Sequence, residues 1–231
     1  MKKINSKLKV ISAKDLGRLA LTDFCPRCFW IERNLGKAPS IFPSIFSSLD
    51  ALTKRSVEES FRKEGKLPDW LKIKNIKRIE KDILFKFPFK KSDWVLTGRP
   101  DNIFETEEGN YHIVDYKTAK FTDRQDELFP MYEIQLNSYA LLAEKYGLEP
   151  VSDLSLIYCQ PKEKLDNYNK FKLSFDIHYL KVEKNLEKVE ELLNKSREIV
   201  NRKSPPLGKE DCRGICHWLG KSYDLLSENK V

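Results

Sequence analysis

Histidine is scarce: the 231-residue chain has three, His112, His178 and His217. Chemistry that rests on a histidine base has few candidates, so carboxylates, lysines and cysteines must carry whatever reaction occurs. No G-x-x-x-x-G-K-[ST] phosphate loop, G-x-S-x-G nucleophile elbow or H-E-x-x-H zinc helix is present, which removes three large enzyme classes. No apolar run approaches the ~18–20 residues needed to span a bilayer, so a membrane partner is not expected. Met1-Lys2-Lys3 opens like a signal peptide, but Lys7, Lys9, Lys14 and Asp15 interrupt any apolar segment behind it. A cytoplasmic location is the expectation. Internal repeats and low-complexity tracts are lacking as well.

What is present is an ordinary core composition, 40% hydrophobic and 11% aromatic. A chain of this length buries ~70–75% of its unfolded surface, which excludes a disulfide-stitched mini-protein and a disordered chain. It is read as one domain over 1–231, with a core at about 47–180. The net charge of +7 suits a polyanionic partner without specifying one. Five cysteines in a chain read as non-secreted point to a metal site or reactive thiols instead of disulfides.

Hydrophobic spacing predicts a helix over 47–63 (Leu49, Leu52, Val57, Phe61) ending at Gly65, after an irregular stretch over 23–46 broken by Pro26, Gly36, Pro39 and Pro43. Strands are expected over 76–89, 94–104 and 111–118, the last two joined by the polar turn 105–110. A helix over 132–146 closes at Gly147; short β-like runs at 154–159 and 171–177 precede a long helix over 182–201. The order α-β-β-β-α-β predicts a mixed central sheet flanked by helices, with strand 111–118, helix 132–146 and strand 154–159 as a parallel crossover.

The informative stretch runs Thr97-Gly98-Arg99-Pro100-Asp101-Asn102-Ile103-Phe104, then Tyr111-His112-Ile113-Val114-Asp115-Tyr116-Lys117-Thr118. Side chains at i and i+2 of a strand share a face, so Asp115 and Lys117 point one way and Val114 and Tyr116 the other. A hairpin would bring Asp101 beside Asp115. Two carboxylates with an ammonium alongside suit a hard cation such as Mg²⁺ or Mn²⁺. That arrangement fits phosphodiester hydrolysis, with Lys117 holding the attacking water or stabilising the pentavalent phosphorus.

The string resembles the PD-(D/E)XK nuclease superfamily, in particular its RecB-like and Cas4-like branch, where G-x-x-D precedes a D-Y-K-T strand. Tyr132-Glu133-Ile134-Gln135-Leu136-Asn137-Ser138-Tyr139 matches the Q-x-x-x-Y motif of that branch. The resemblance implies a restriction-endonuclease-like αβββαβ core. It further implies metal-dependent cleavage of DNA, single-stranded or at free ends, in repair, recombination or CRISPR-type defence, with proteins of those systems as further partners. The implied Mg²⁺ or Mn²⁺ set is Asp101, Asp115 and Tyr116 with a first-helix acid, here Glu58 in preference to Glu59. Lys117 would be catalytic, and Gln135 and Tyr139 would contact DNA. No histidine lies on helix 47–63, a departure from the Cas4-like pattern. Two other readings stay open: a catalytically inactive DNA-binding module of the same fold, and a restriction-like endonuclease.

Cys25-Pro26-Arg27-Cys28 and Cys212-Arg213-Gly214-Ile215-Cys216 lie near opposite ends of the chain. Four thiolates suit a [4Fe–4S] cluster or a structural Zn²⁺. Relatives in that branch hold an iron–sulfur cluster between one N-terminal cysteine and a C-terminal group, and on that ground the cluster is the expected occupant, clamping segments 23–30 and 210–218. The two-and-two split here departs from the branch and keeps zinc open. Cys159 reads as a buried apolar thiol.

Overall fold

The structure, a computed structural model, describes residues 9–38, 43–89, 94–122 and 127–228. The chain begins with β1 (Lys9–Ser12), α1 (Ala13–Gly17) and a 3₁₀ turn, then α2 (Pro26–Asn34) and α3 (Ser44–Glu64). Five strands follow: β2 (Ile76–Ile79), β3 (Phe85–Pro88), β4 (Trp94–Gly98), β5 (Asn102–Thr106) and β6 (Tyr111–Lys117). Helix α4 (Phe129–Lys145), β7 (Val151–Pro161), β8 (Phe175–Val182), α5 (Leu186–Val200) and α6 (Ile215–Glu228) complete it. No described helix is long and apolar enough to cross a membrane.

The expected mixed α/β architecture is present, but its strands divide between two sheets, ordered β1-β4-β3 and β2-β5-β6-β7-β8. The run expected as one strand over 94–104 therefore splits. The chain leaves the small sheet at Gly98 and enters the large one at Asn102, and Pro100, which cannot donate to a ladder, lies in the break. The run over 76–89 splits in the same way into β2 and β3. The crossover is as expected: β6 pairs with β7 in parallel, Asp115 opposite Leu156. Segment 23–46, expected to be irregular, contains α2, because Pro26 occupies a first-turn position where its missing N–H costs nothing.

The large sheet is covered on both faces. On one, Val57 of α3 packs with Phe104, Val114, Tyr116 and Ile157. On the other, α4 is buried nearly all round, between the sheets and α1 and α5. A helix with so little solvated surface carries apolar residues on every side. Its buried Asn137 is satisfied, donating to the carbonyls of Glu133 and Glu183 at 3.0 Å each. Strand β6, central in the large sheet, presents alternate side chains to α3 and α4, and this sorting builds the site.

Candidate active site and cysteine centre

The antiparallel register pairs Asn102 with Val114, which sets Asp101 opposite Asp115 at the end of the β5–β6 hairpin. Asp101 sits just outside β5, where the chain changes sheets. One of its carboxylate oxygens accepts the Tyr116 N–H at 2.8 Å, and the other lies 2.7 Å from Lys54 Nζ. Lys54, on α3, also reaches Asp50 at 3.0 Å. Burial, and then repulsion from Asp115, push the Asp101 carboxyl up to about 7, against the pull of Lys54 and the Tyr116 amide. Burial works against the charge on Lys54, but Asp101 and Asp50 outweigh it and raise its pKa.

Asp115 is 3% exposed and faces α4. Its Oδ2 is ion-paired with Lys117 yet has no aligned hydrogen bond, and its Oδ1 accepts from Gln135 Nε2 at 3.4 Å. Gln135 Nε2 also donates to the Tyr139 hydroxyl at 2.6 Å, and its Oε1 accepts from Lys117 Nζ at 3.4 Å. Lys117 Nζ stands 4.4 Å from the centroid of the Tyr132 ring. Tyr132, Gln135 and Tyr139 thus form one stripe of α4, at i, i+3 and i+7, laid along the Asp115–Lys117 face. Desolvation opposes the charge on Lys117, but the adjacent Asp115 carboxylate more than offsets it, and its pKa rises.

Glu58 of α3 lines a cleft of about 240 Å³ together with Asp50, Lys54, Arg99 and Asp101. Glu59 points elsewhere, paired with Arg62 and Lys63 at 2.8 and 2.9 Å. Asp101, Asp115 and Glu58 offer hard oxygens of the kind a divalent ion takes. Asp101 and Glu58 line the cleft, while Asp115, which keeps one buried oxygen without an aligned donor, lies outside that lining.

One expectation changes and one is refined. As strand alternation predicts, the Tyr116 side chain lies away from the carboxylates on the α3 face, where its hydroxyl donates to Asn102 Oδ1 at 2.8 Å and its ring meets Trp70 edge-on. Only its backbone belongs to the site. Gln135 and Tyr139 are 6% and 5% exposed, so neither offers a face on which a base can stack. Tyr139 is closed over by Gly98, where a Cβ would fall 2.7–2.8 Å from its ring carbons and from Leu142 Cδ1. This close approach explains the glycine of the G-x-x-D string. Lys54 and Asp50 were not anticipated as site residues. The signal was available, since Asp50, Lys54 and Glu58 repeat every four residues along one helical stripe.

Apart from the carboxylates, Cys25, Cys28, Cys212 and Cys216 converge, their sulfurs all within 4.8 Å of one another. Cys25 caps the N-terminus of α2, Cys28 lies in its first turn, and Cys216 lies in the first turn of α6. Although burial raises the Cys25 thiol, the backbone N–H groups of Cys28 and Lys209 and its cysteine neighbours bring it down to about 7. Cys159 stays apart, buried along an apolar groove with Leu49, Trp70 and Ile177, and burial pushes its thiol up to about 11.

No curated protein sequence matches the chain. Among solved structures it is similar to SSO0001, with a TM-score of 0.47 and 15% identity, over 89% of this chain and 80% of that one. It is also similar to a phage-related exonuclease from Haemophilus somnus 129PT, with a TM-score of 0.39 and 14% identity, over 76% and 75% of the two chains. A third similarity is to LHK-Exo in complex with dAMP, with a TM-score of 0.43 and 9% identity, over 96% of each. The family model that describes the PD-(D/E)XK nuclease superfamily matches residues 49–220, from the α3 stripe through the hairpin and α4 to the second cysteine pair, and the chain belongs to that superfamily.

Proposed function

We propose that the chain is a Mg²⁺- or Mn²⁺-dependent deoxyribonuclease of RecB-like and Cas4-like type, acting on single strands or DNA ends. The observation that carries the reading is the Asp101–Asp115–Lys117 constellation on one hairpin, with Asp115 buried and its neighbours partly so, braced from α4 by Gln135. A bound divalent ion supplies a water of lowered pKa and neutralises charge at the phosphate. Asp101, Asp115 and Glu58 are the residues that hold such an ion with hard oxygens. Lys117, kept protonated by Asp115, places an N–H donor where charge develops on the phosphate oxygens. Gln135 contacts both of them and so fixes their mutual orientation, and Tyr139 fixes Gln135. These two are positioning residues in this reading, and DNA contact passes to groups nearer the surface. The net charge of +7 favours approach of the polyanion. Residues 1–231 are taken as a single domain whose ends the cysteine centre joins, and repair, recombination or CRISPR-type defence is the setting in which such an activity is used.

The test is cleavage of labelled single-stranded and blunt duplex DNA with Mg²⁺ or Mn²⁺. Asp115→Ala and Lys117→Ala should each abolish turnover while circular dichroism stays that of the parent. Parent protein that binds DNA but cuts neither substrate with either metal would establish the inactive binding module instead.

A further inference from the structure

We infer that the four cysteines hold a single tetrahedral ion of the zinc class, and not the iron–sulfur cluster that the family resemblance implies. The size of the sulfur cage carries this. Cys212 and Cys216 are 3.4 Å apart, Cys28 and Cys212 3.5 Å, and Cys25 and Cys216 3.7 Å, with no pair beyond 4.8 Å. Four Zn–S bonds of ~2.3 Å at tetrahedral angles put the sulfurs about 3.8 Å apart, which lies inside this spread. A cubane places four irons and four sulfides between its thiolates, so every sulfur pair would have to open well beyond the separations found.

The walls of the cage resist opening. A Cβ at Gly214 would lie 3.0 Å from Cys28 Sγ and 3.4 Å from Cys212 Sγ, so the 212–216 backbone already abuts the sulfurs. Three backbone N–H groups point inward: Lys209 to Cys25 at 3.4 Å, and Gly214 to Cys212 and Cys216 to Cys28 at 3.3 Å each. Moving the sulfurs outward would give up these contacts, which spread the negative charge of four thiolates over fixed dipoles. The N-termini of α2 and α6, which present Cys25, Cys28 and Cys216, add to that compensation. Of the acids that line the same cavity, Glu32 is engaged by Arg18 at 2.5 Å and Asp211 by Lys209 at 3.3 Å. Four soft donors and no open position describe a closed structural centre. Its work is to pin α6 onto α2, a junction that Arg27 extends by donating to the Pro206 carbonyl at 3.0 Å.

The experiment is elemental analysis and visible absorption of the full chain purified without oxygen or chelators, followed by titration with a mercurial thiol reagent in the presence of a zinc indicator. One zinc per chain is expected, without iron or acid-labile sulfide, released in step with modification of four thiols. Growth with Co²⁺ should give the absorption of a tetrahedral tetrathiolate, absent from Cys28→Ser. The mercurial titration on the parent decides the matter even if that variant fails to fold. Brown protein carrying iron and sulfide would overturn the inference, as would metal-free protein as stable as the metal-loaded sample. Asp115→Ala should keep its zinc whatever happens to cleavage, so failure here and failure of the nuclease reading are separable.

Discussion

Gly98→Ala tests the link between the small sheet and the site. The added methyl would stand 2.7–2.8 Å from two Tyr139 ring carbons and Leu142 Cδ1. Carbon atoms rest at ~3.5–4.0 Å, so each neighbour must withdraw by roughly 0.7–1.3 Å. Tyr139 has little room to do so, being buried with its hydroxyl tied to Gln135. Inserting a methyl into such packing costs ~1–3 kcal/mol. For a chain of this length each kcal/mol moves the midpoint by ~2–4 °C, so thermal unfolding should fall by about 2–12 °C. Cleavage should fall as well, because a displaced Tyr139 releases the amide that orients Asp115 and Lys117. A double-mutant cycle locates the clash: with Tyr139→Ala as background the methyl has space, and its cost should shrink. A Gly98→Ala protein that melts with the parent, or a cost unchanged by Tyr139→Ala, would refute the reasoning.

Metal-free protein should lose stability as pH rises from about 4 through about 7, because burial and Asp115 disfavour the ionised Asp101 carboxylate that the unfolded chain accepts freely; Asp101→Asn should remove that slope in urea titrations. By the same shift a proton competes with the ion, so Mn²⁺ affinity measured by calorimetry should drop about tenfold from pH 8 to pH 6, and a flat profile would count against Asp101 as a ligand. Glu58→Gln should weaken Mn²⁺ binding while Glu59→Gln leaves it unchanged, since Glu59 faces away toward Arg62 and Lys63; equal effects would reject the choice between them.

The hairpin was legible because its information is local. Alternation put Asp115 and Lys117 on one face, and a short polar turn fixed the partner strand closely enough to bring Asp101 alongside. Helix α4 was legible through its Gly147 terminus and its Gln135–Tyr139 spacing. Periodicity could not show that the run 94–104 serves two sheets, since each half alone is a good strand, and Arg99-Pro100 was the only local hint of a break. Helix α2 was hidden because Pro26 reads as a breaker when counted by composition and as a start when counted by position. The close packing of Tyr139 against Gly98 was illegible because the glycine is forty-one residues away in the chain and in the small sheet. The convergence of the two cysteine pairs was anticipated from their joint presence beside a core that resembles the RecB-like and Cas4-like branch, but the size of the cage they form needed coordinates.

The two halves of the site answer to different helices, and this division follows from the strand itself. On β6 the even positions Val114 and Tyr116 belong to the α3 face, and the odd positions Asp115 and Lys117 to the α4 face. Helix α4 can therefore brace Asp115 and Lys117 but not Asp101, whose partners are the Tyr116 amide and Lys54 of α3. The register sets Asp101, just before β5, opposite Asp115, and directly opposed residues share a face, so the two carboxylates lie near enough for Asp115 to help raise the Asp101 pKa. On the α3 side Lys54 is shared by Asp50 and Asp101, in a cleft whose lining holds five acids (Asp50, Glu58, Glu80, Asp82, Asp101) against three cations (Lys54, Lys81, Arg99); on the α4 side Asp115 is paired with Lys117. The excess of carboxylate thus falls at the cleft, and a divalent cation bound there would oppose the burial and the Asp115 repulsion that together raise the Asp101 pKa.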